Sequence, residues 1–261
     1  MFKLATWNVN SIRIRFPLLQ KLVKEKDLDV ICLQEVKAKE EDFPFSEINN
    51  LGYKHIALYS MPAYNGVAIL SKTPLTQIKK HKHTNRDDAR HISAIIENGV
   101  EIHNIYIPAG GEIPDIKTNP SFVHKLDFVD ELGSFFSDKS AKRLICGDFN
   151  IAPLENDVWN HKAMLKTISH TPIEIEKLTA FFKNGNFVDA ARRIYPEPQK
   201  LYSWWSYRNP NWQKNDKGRR LDHIWVAPDL TEKISNIEFC RNFRAEERPS
   251  DHIPLIITLK I

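Results

Sequence analysis

In the stretch Leu144-Ile145-Cys146-Gly147-Asp148-Phe149-Asn150, three apolar residues run into a glycine, a carboxylate, an aromatic ring and an amide. The apolar run reads as a short buried strand. Gly147 reads as the residue that lets the backbone turn sharply where the strand ends. Asp148 and Asn150 lie two apart, so on extended backbone both point to the same side. A carboxylate and an amide converging there can orient a water molecule and stabilise a developing oxyanion. The structural alternative is an Asx turn that closes the strand.

Three other stretches repeat the pattern of a polar side chain beside an apolar strand. Asn8 ends residues 2–9, and Glu35 leaves the strand at 28–33. Sites in α/β proteins gather at such carboxyl ends. In Arg220-Leu221-Asp222-His223, Asp222 sits among strand-type residues and needs a partner, either a neighbouring arginine or a group in a site. In Ser250-Asp251-His252-Ile253, Asp251 and His252 precede the last strand, and adjacent side chains on extended backbone diverge toward separate tasks. The set is rich in carboxylates and amides, has one histidine and lacks paired cysteines. Hard oxygen donors of this kind suit Mg²⁺ or Mn²⁺ rather than a structural zinc. His81-Lys82-His83 offers two imidazoles without Asp or Cys partners nearby and reads as a solvated strand edge.

The elements that must position these residues follow from periodicity. Residues 13–26 read as an amphipathic helix with Leu18, Leu19, Leu22 and Val23 on one face. A short helix is expected at 42–50, closed by Gly52, and further helices at 123–136 and 173–183, with a helical turn at 189–195. Strands are expected at 53–59, 66–70, 75–80, 91–96, 100–107, 144–146, 221–226, 233–240 and 253–261. Residues 201–218 read as a loop rich in aromatic, basic and Asn residues. Strands outnumber helices and are only sometimes separated by them, which predicts two packed sheets with helices outside. No linker, repeat or low-complexity tract divides the 261 residues, so a single domain spanning 1–261 is expected.

Composition is that of a globular protein, 42% hydrophobic and 27% charged. No apolar run approaches the ~18 residues of a membrane span, and no signal peptide is evident at the N-terminus. The odd cysteine count (Cys32, Cys146 and Cys240), all in strand contexts, predicts reduced thiols and a cytoplasmic protein. A net charge of +4 permits a polyanionic partner without demanding one.

Six motifs in order carry a resemblance across essentially the whole chain. They are Trp7-Asn8-Val9-Asn10-Ser11-Ile12-Arg13, Leu33-Gln34-Glu35-Val36-Lys37, Asn65-Gly66-Val67-Ala68-Ile69-Leu70-Ser71, Gly147-Asp148-Phe149-Asn150, Arg220-Leu221-Asp222 and Ser250-Asp251-His252. The chain resembles the exonuclease III family of the endonuclease/exonuclease/phosphatase superfamily. The resemblance implies a four-layer αββα sandwich of two mainly antiparallel sheets. It also implies a metal-dependent phosphodiesterase acting on abasic sites and 3′ ends of duplex DNA; a monomer is expected.

Carried over residue by residue, it implies that Glu35 and Asp251 bind the metal directly or through water. Asn10 stands nearby, and Asn8, Asp148 and Asn150 complete the metal surroundings. Asp148 would activate or position the attacking water, and Asn8 and Asn150 would fix that water and the transition-state oxygens. His252 would hydrogen-bond the scissile phosphate, Asp222 would orient His252, and Tyr106 would contact the phosphate or leaving oxygen. Such a set meets the needs of phosphodiester cleavage: charge neutralisation, an in-line nucleophile and leaving-group stabilisation. One departure is Ala109-Gly110 after Tyr106-Ile107-Pro108, where the family usually carries Asn-Gly.

Other superfamily members cleave sphingomyelin, inositol phosphates or undamaged DNA and commonly place a catalytic His where this chain has Tyr106. Asn104-Ile105-Tyr106-Ile107-Pro108 therefore favours the exonuclease III branch over a lipid or inositol-phosphate phosphatase. The filled acidic positions argue against a catalytically dead DNA-binding scaffold. Trp204, Trp205, Tyr207 and Trp212 interleave with Arg208, Lys214, Lys217, Arg219 and Arg220, which suits phosphate contacts plus insertion at a base step. The resemblance implies that Trp204 and Leu221 line a pocket for a bare sugar. Trp212, or else Arg208, is the candidate wedge into the duplex.

Overall fold

The computed structural model describes residues 1–138 and 142–261. In chain order, β1 (Phe2–Asn8), α1 (Ile12–Lys26), β2 (Val30–Gln34), α2 (Phe45–Asn50), β3 (His55–Tyr59) and β4 (Val67–Ser71) form the first half of one layer pair. Then come β5 (Leu75–His83), β6 (Arg86–Ile96), β7 (Glu101–Tyr106), α3 (Pro120–Phe135) and β8 (Arg143–Asp148). After them lie α4 (His161–Met164), α5 (Pro172–Asn184), β9 (Val188–Asp189), α6 (Ala190–Ile194) and α7 (Trp212–Asn215). The chain ends with β10 (Asp222–Val226), β11 (Ile234–Phe239) and β12 (Leu255–Leu259).

The strands make two six-stranded sheets, ordered β11-β12-β1-β2-β4-β3 and β5-β6-β7-β8-β10-β9. Among the described strands, only β1–β2 and β7–β8 pair in parallel. Leu4, Val30 and Cys32 of the first sheet share a buried core with Ile102, Leu144 and Cys146 of the second. Leu18, Leu19 and Leu22 of α1 and Ile48 of α2 cover the outer face of the first sheet against Ile31 and Leu33. Phe128 and Leu132 of α3, with Leu178 and Phe181 of α5, cover the second against Ile105, Ile145 and Trp225. The result is the expected αββα order of layers. Among the described residues no helix is long and apolar enough to cross a membrane.

A polar seam crosses the apolar inter-sheet core. Asn104 on β7 donates to the carbonyls of Leu33 and Ala68 in the opposite sheet, at 2.9 and 2.8 Å. Its own oxygen accepts from Gln34 Nε2 at 2.7 Å. Buried amides left unpaired would be costly, so this network registers one sheet on the other just beneath the strand ends.

Three expectations change. Gly147 is not a turn but lies within β8, with φ at 141°, and a Cβ there would stand 1.8 Å from the Ile105 carbonyl oxygen. It is required for close approach of β7 and β8. Helix α3 starts at Pro120, where Asn119 caps it by accepting from the Ser121 and Phe122 amides. Strands β5 and β6 extend to a tight hairpin at Thr84-Asn85, both with positive φ. His83 is thereby buried and His81 half-buried, not at a solvated edge.

Gly147→Ala should therefore lower unfolding free energy by about 2–5 kcal/mol through strain and overpacking. A urea-denaturation midpoint equal to that of the wild type would contradict this account.

Candidate active site

The two parallel pairs deliver polar residues to one end of the sandwich. In the first sheet Asn8 and Gln34 are register partners, and Glu35 follows immediately. In the second, Tyr106 pairs with Asp148 across β7–β8, and Asp222 pairs with Asp148 across β8–β10. The Ser250-Asp251-His252 turn leads into β12 beside β1, where Ser250 Oγ donates to the Asn8 carbonyl at 2.7 Å. Strained backbone gathers here: Asn10, Glu35 and Asn150 all have φ near +50°, a region L-residues adopt rarely and often at functional sites.

The seam between the sheets closes on Asp148. Asn8 Nδ2 donates to Asp148 Oδ2 at 2.9 Å and to Glu35 Oε1 at 2.8 Å. Asn150 Nδ2 donates to the same Asp148 oxygen at 3.1 Å. The Asn150 amide N–H donates to Asp148 Oδ1 at 2.9 Å, so an Asx-type turn and a functional cluster coexist in one motif. Tyr106 Oη donates to Glu35 Oε1 at 2.9 Å. His252 holds Nδ1 2.8 Å from Asp222 Oδ2, while its Nε2 faces Asp148 Oδ2 at 3.6 Å.

Neither adjacent arginine takes Asp222. Arg220 pairs with Asp157 and Asp189, and Arg219 bonds the Ile168 carbonyl and Ser169. Asp222 is thus free to serve His252.

Electrostatics divide the roles. Burial pushes the Asp148 carboxyl up to about 7, with Asp222 and Glu35 adding to the rise against His252 and the Asn8 amide. Burial would lower His252, but the Asp222 and Asp148 carboxylates outweigh it and lift the imidazole to about 10. Burial also raises Glu35, yet the Lys37 ammonium and the Asn8 amide bring it below its ordinary value. Burial, with Glu35 close by, holds the Tyr106 hydroxyl well above its usual range and so protonated. Asp148, Asp222 and His252 have donor atoms close enough to surround a cation. A protonated His252 donates rather than ligates, so these three read as a proton-sharing group.

The hard-oxygen set lies alongside. Lys37 Nζ bridges Glu35 Oε2 and Asn10 Oδ1, each at 2.7 Å. Asn10 Nδ2 reaches Asp251 Oδ1 at 3.3 Å, and Trp204 Nε1 donates to Asp251 Oδ2 at 2.9 Å. One cavity of about 320 Å³ joins both groups. Its walls include Glu35, Tyr106, Asp148, Asn150, Asp251 and His252. Trp204, Leu221, Ile168 and Arg219 line the same cavity.

Trp212 departs from expectation. It is buried, tilted against Trp205 at 5.2 Å and covered by the Arg241 and Arg244 guanidinium groups. A ring so packed cannot project as a wedge, whereas Arg208 is exposed.

Several functional neighbours escaped the sequence reading. Lys37 is one. Arg90 is another, stacked 4.6 Å over the Tyr106 ring. A third is the fully buried Lys125–Glu174 pair at 2.5 Å. Lys125 donates to the Asn150 carbonyl at 2.8 Å and to the Ala109 carbonyl at 3.2 Å. The turn at Ala109 is therefore held through its backbone, whatever its side chain.

The His252–Asp222 pair should act as one unit: cleavage losses in His252→Asn and Asp222→Asn should be strongly non-additive in a double-mutant cycle. Because the imidazole is raised, its stabilisation is fully present below about 6.5 and lost as pH rises through about 10. The stability gap between wild type and His252→Asn should shrink over that range in urea titrations; a constant gap would contradict the pairing.

The sequence profile of the endonuclease/exonuclease/phosphatase family matches residues 5–252. The chain is 32% identical to exodeoxyribonuclease III of Haemophilus influenzae, over 97% of this chain and 98% of that protein. Its fold superposes on an AP endonuclease from Archaeoglobus fulgidus with a TM-score of 0.92 at 28% identity, covering 100% of both chains. It superposes equally, at 0.92 and 29% identity with 100% of both chains covered, on the 3′ phosphatase NExo from Neisseria bound to product DNA hairpin. With the fold and the seam of polar residues in agreement, this chain belongs to the endonuclease/exonuclease/phosphatase family, on its exodeoxyribonuclease III and AP endonuclease branch.

Proposed function

We propose that this DNA-repair phosphodiester hydrolase incises duplex DNA 5′ to abasic sites and removes nucleotides or blocking groups from 3′ ends. The observation that carries the reading is the shared cavity, whose apolar wall of Trp204, Leu221 and Ile168 faces the catalytic seam. An abasic nucleotide leaves the stack at little cost, and its bare sugar suits such a wall where a full nucleotide meets more bulk. The relatives named exodeoxyribonuclease III and AP endonuclease, and the neighbour bound to a DNA hairpin, support the same substrate class. The protein acts as a monomer of one domain, in the cytoplasm.

Asp148 orients the attacking water, fixed by the amides of Asn8 and Asn150. With a carboxyl at about 7 it is poised to accept a proton near neutral pH. His252, held as imidazolium by Asp222, donates from Nε2 to a phosphate oxygen. Tyr106, kept protonated, donates to the phosphate or the leaving oxygen. Arg219, stacked 4.9 Å over Trp204, and exposed Arg208 meet the DNA backbone.

The oxygens of Glu35 and Asp251, with Asn10 between them, fit a hard divalent cation. The Lys37 ammonium already bridges Glu35 and Asn10, and among the described residues the buried Asp222 Oδ1 lacks a partner. Mg²⁺ or Mn²⁺ bound there supplies charge neutralisation for the phosphate.

Three variants test this reading on a duplex holding one abasic site. Asp148→Asn should lower kcat by about 10²–10⁴-fold while the fold and DNA affinity survive; single-turnover cleavage near that of wild type would reject the role. Glu35→Gln should lose most activity and recover part of it in excess Mn²⁺, and full wild-type activity in EDTA would reject metal dependence. Trp204→Ala should lower the kcat/KM ratio of abasic to intact duplex, and an unchanged ratio would place the sensor elsewhere.

A further inference from the structure

On the outer face of the second sheet, we propose that His81, His91 and His103 form a separate metal site for Zn²⁺ or a closely related borderline transition cation. The three lie on adjacent strands β5, β6 and β7, where His81 is the register partner of His91, and His103 that of Ser93. Strand alternation therefore sends His81, His83, His91, Ser93 and His103 to one face. Phe128 and Phe135 of α3, with the adjoining Phe136, roof that face. Asn104 on β7 points the other way, into the inter-sheet seam, so the cluster is separate from the catalytic groups. One ring nitrogen from each of His81, His91 and His103 lies within 4.8 Å of the others.

The contacts around the cluster show which ring nitrogens a cation would take. Glu131, His83, His91, His103 and Glu101 form a line. His83 Nδ1 faces Glu131 Oε2 at 3.6 Å, and His83 Nε2 meets His91 Nδ1 at 2.9 Å. His91 Nε2 meets His103 Nδ1 at 2.9 Å, and His103 Nε2 faces Glu101 Oε2 at 3.3 Å. Of these contacts the two between rings are hydrogen bonds, and His103 Nε2 is buried without a hydrogen-bond partner among the described residues.

A metal between His91 Nε2 and His103 Nδ1 would take the place of the hydrogen bond those two atoms share and leave each ring its one hydrogen on the other nitrogen. His91 then donates from Nδ1 to His83, His83 from Nδ1 to Glu131, and His103 from Nε2 to Glu101. The third ring, His81, lies 4.3 Å from His91 between ring centroids and has Nε2 2.8 Å from Ser93 Oγ, leaving Nδ1 to ligate. Each ligand thus has its own acceptor on the second nitrogen, the arrangement that fixes tautomers around bound metals. Neutral imidazole donors select zinc-like cations over Mg²⁺. The site would clamp the β5–β6 hairpin to β7 without touching the nuclease chemistry.

The test uses full-length protein stripped by chelation, then titrated with Co²⁺ in excess Mg²⁺. A tetrahedral, nitrogen-rich absorption should saturate at about one equivalent, and Zn²⁺ should bleach it and raise Tm. His81→Gln, at a half-exposed position that tolerates change, and His103→Gln should each lose the absorption and the Tm gain. Both should keep Mg²⁺-dependent cleavage of abasic duplex within about twofold, given their separation from the chemistry. No saturable tetrahedral signal in wild type, or its persistence in both variants, would overturn the site. The wild-type titration decides even if a variant fails to fold.

Discussion

Asp148 and Asp222 are buried side by side at the seam between two sheets, with Glu35 close behind. Carboxylates taken out of water repel one another and cost several kcal/mol each unless charge and hydrogen bonds answer them. The answer here is the His252 imidazole, the Lys37 ammonium at Glu35 and a few amides. His252 stands between Asp222 and Asp148, and Asn8 reaches across from the first sheet to bind both Asp148 and Glu35. The residual excess of negative charge is the physical reason the proposed cation would sit beside Glu35 and Asp251.

That constraint explains the topology around it. Two parallel strand pairs, one in each sheet, bring the carboxyl ends of β1, β2, β7 and β8 to the same end of the sandwich. The antiparallel neighbours β10 and β12 then contribute residues from their beginnings. The Asn104–Gln34 network fixes the sheet-to-sheet offset, so the Asn8–Asp148 contact does not depend on loops alone. Gly147 permits β7 and β8 to approach closely enough for Tyr106 and Asp148 to share the site. The Lys125–Glu174 pair holds the strands' exit loops from the outer side.

Much of this was legible in the sequence because strand ends leave a signature. Asn8, Glu35, Asp148 and Asp222 each break an apolar run, and all four meet in space. Trp204 and Leu221 were named only through the family resemblance, and both line the cavity at the seam. Trp212 was not, since an aromatic ring in a basic loop looks the same whether it projects or packs. Lys37, Arg90 and Lys125 act through partners distant in sequence or on separate elements, and no local pattern reveals that. The histidine face of β5 and β6 was hidden because histidine scores as polar. The strands therefore seemed to stop at 80 and to start at 91, where the alternation in fact continues.

The account depends most directly on His252 being a cation held by Asp222 and Asp148. NMR titration of the His252 imidazole in metal-free protein measures this without reference to turnover. It should titrate near 10, and in Asp222→Asn it should fall by several units, because burial then acts with less opposition. A wild-type His252 titrating at its ordinary value near 6.5, unmoved by Asp222→Asn, would contradict the central claim.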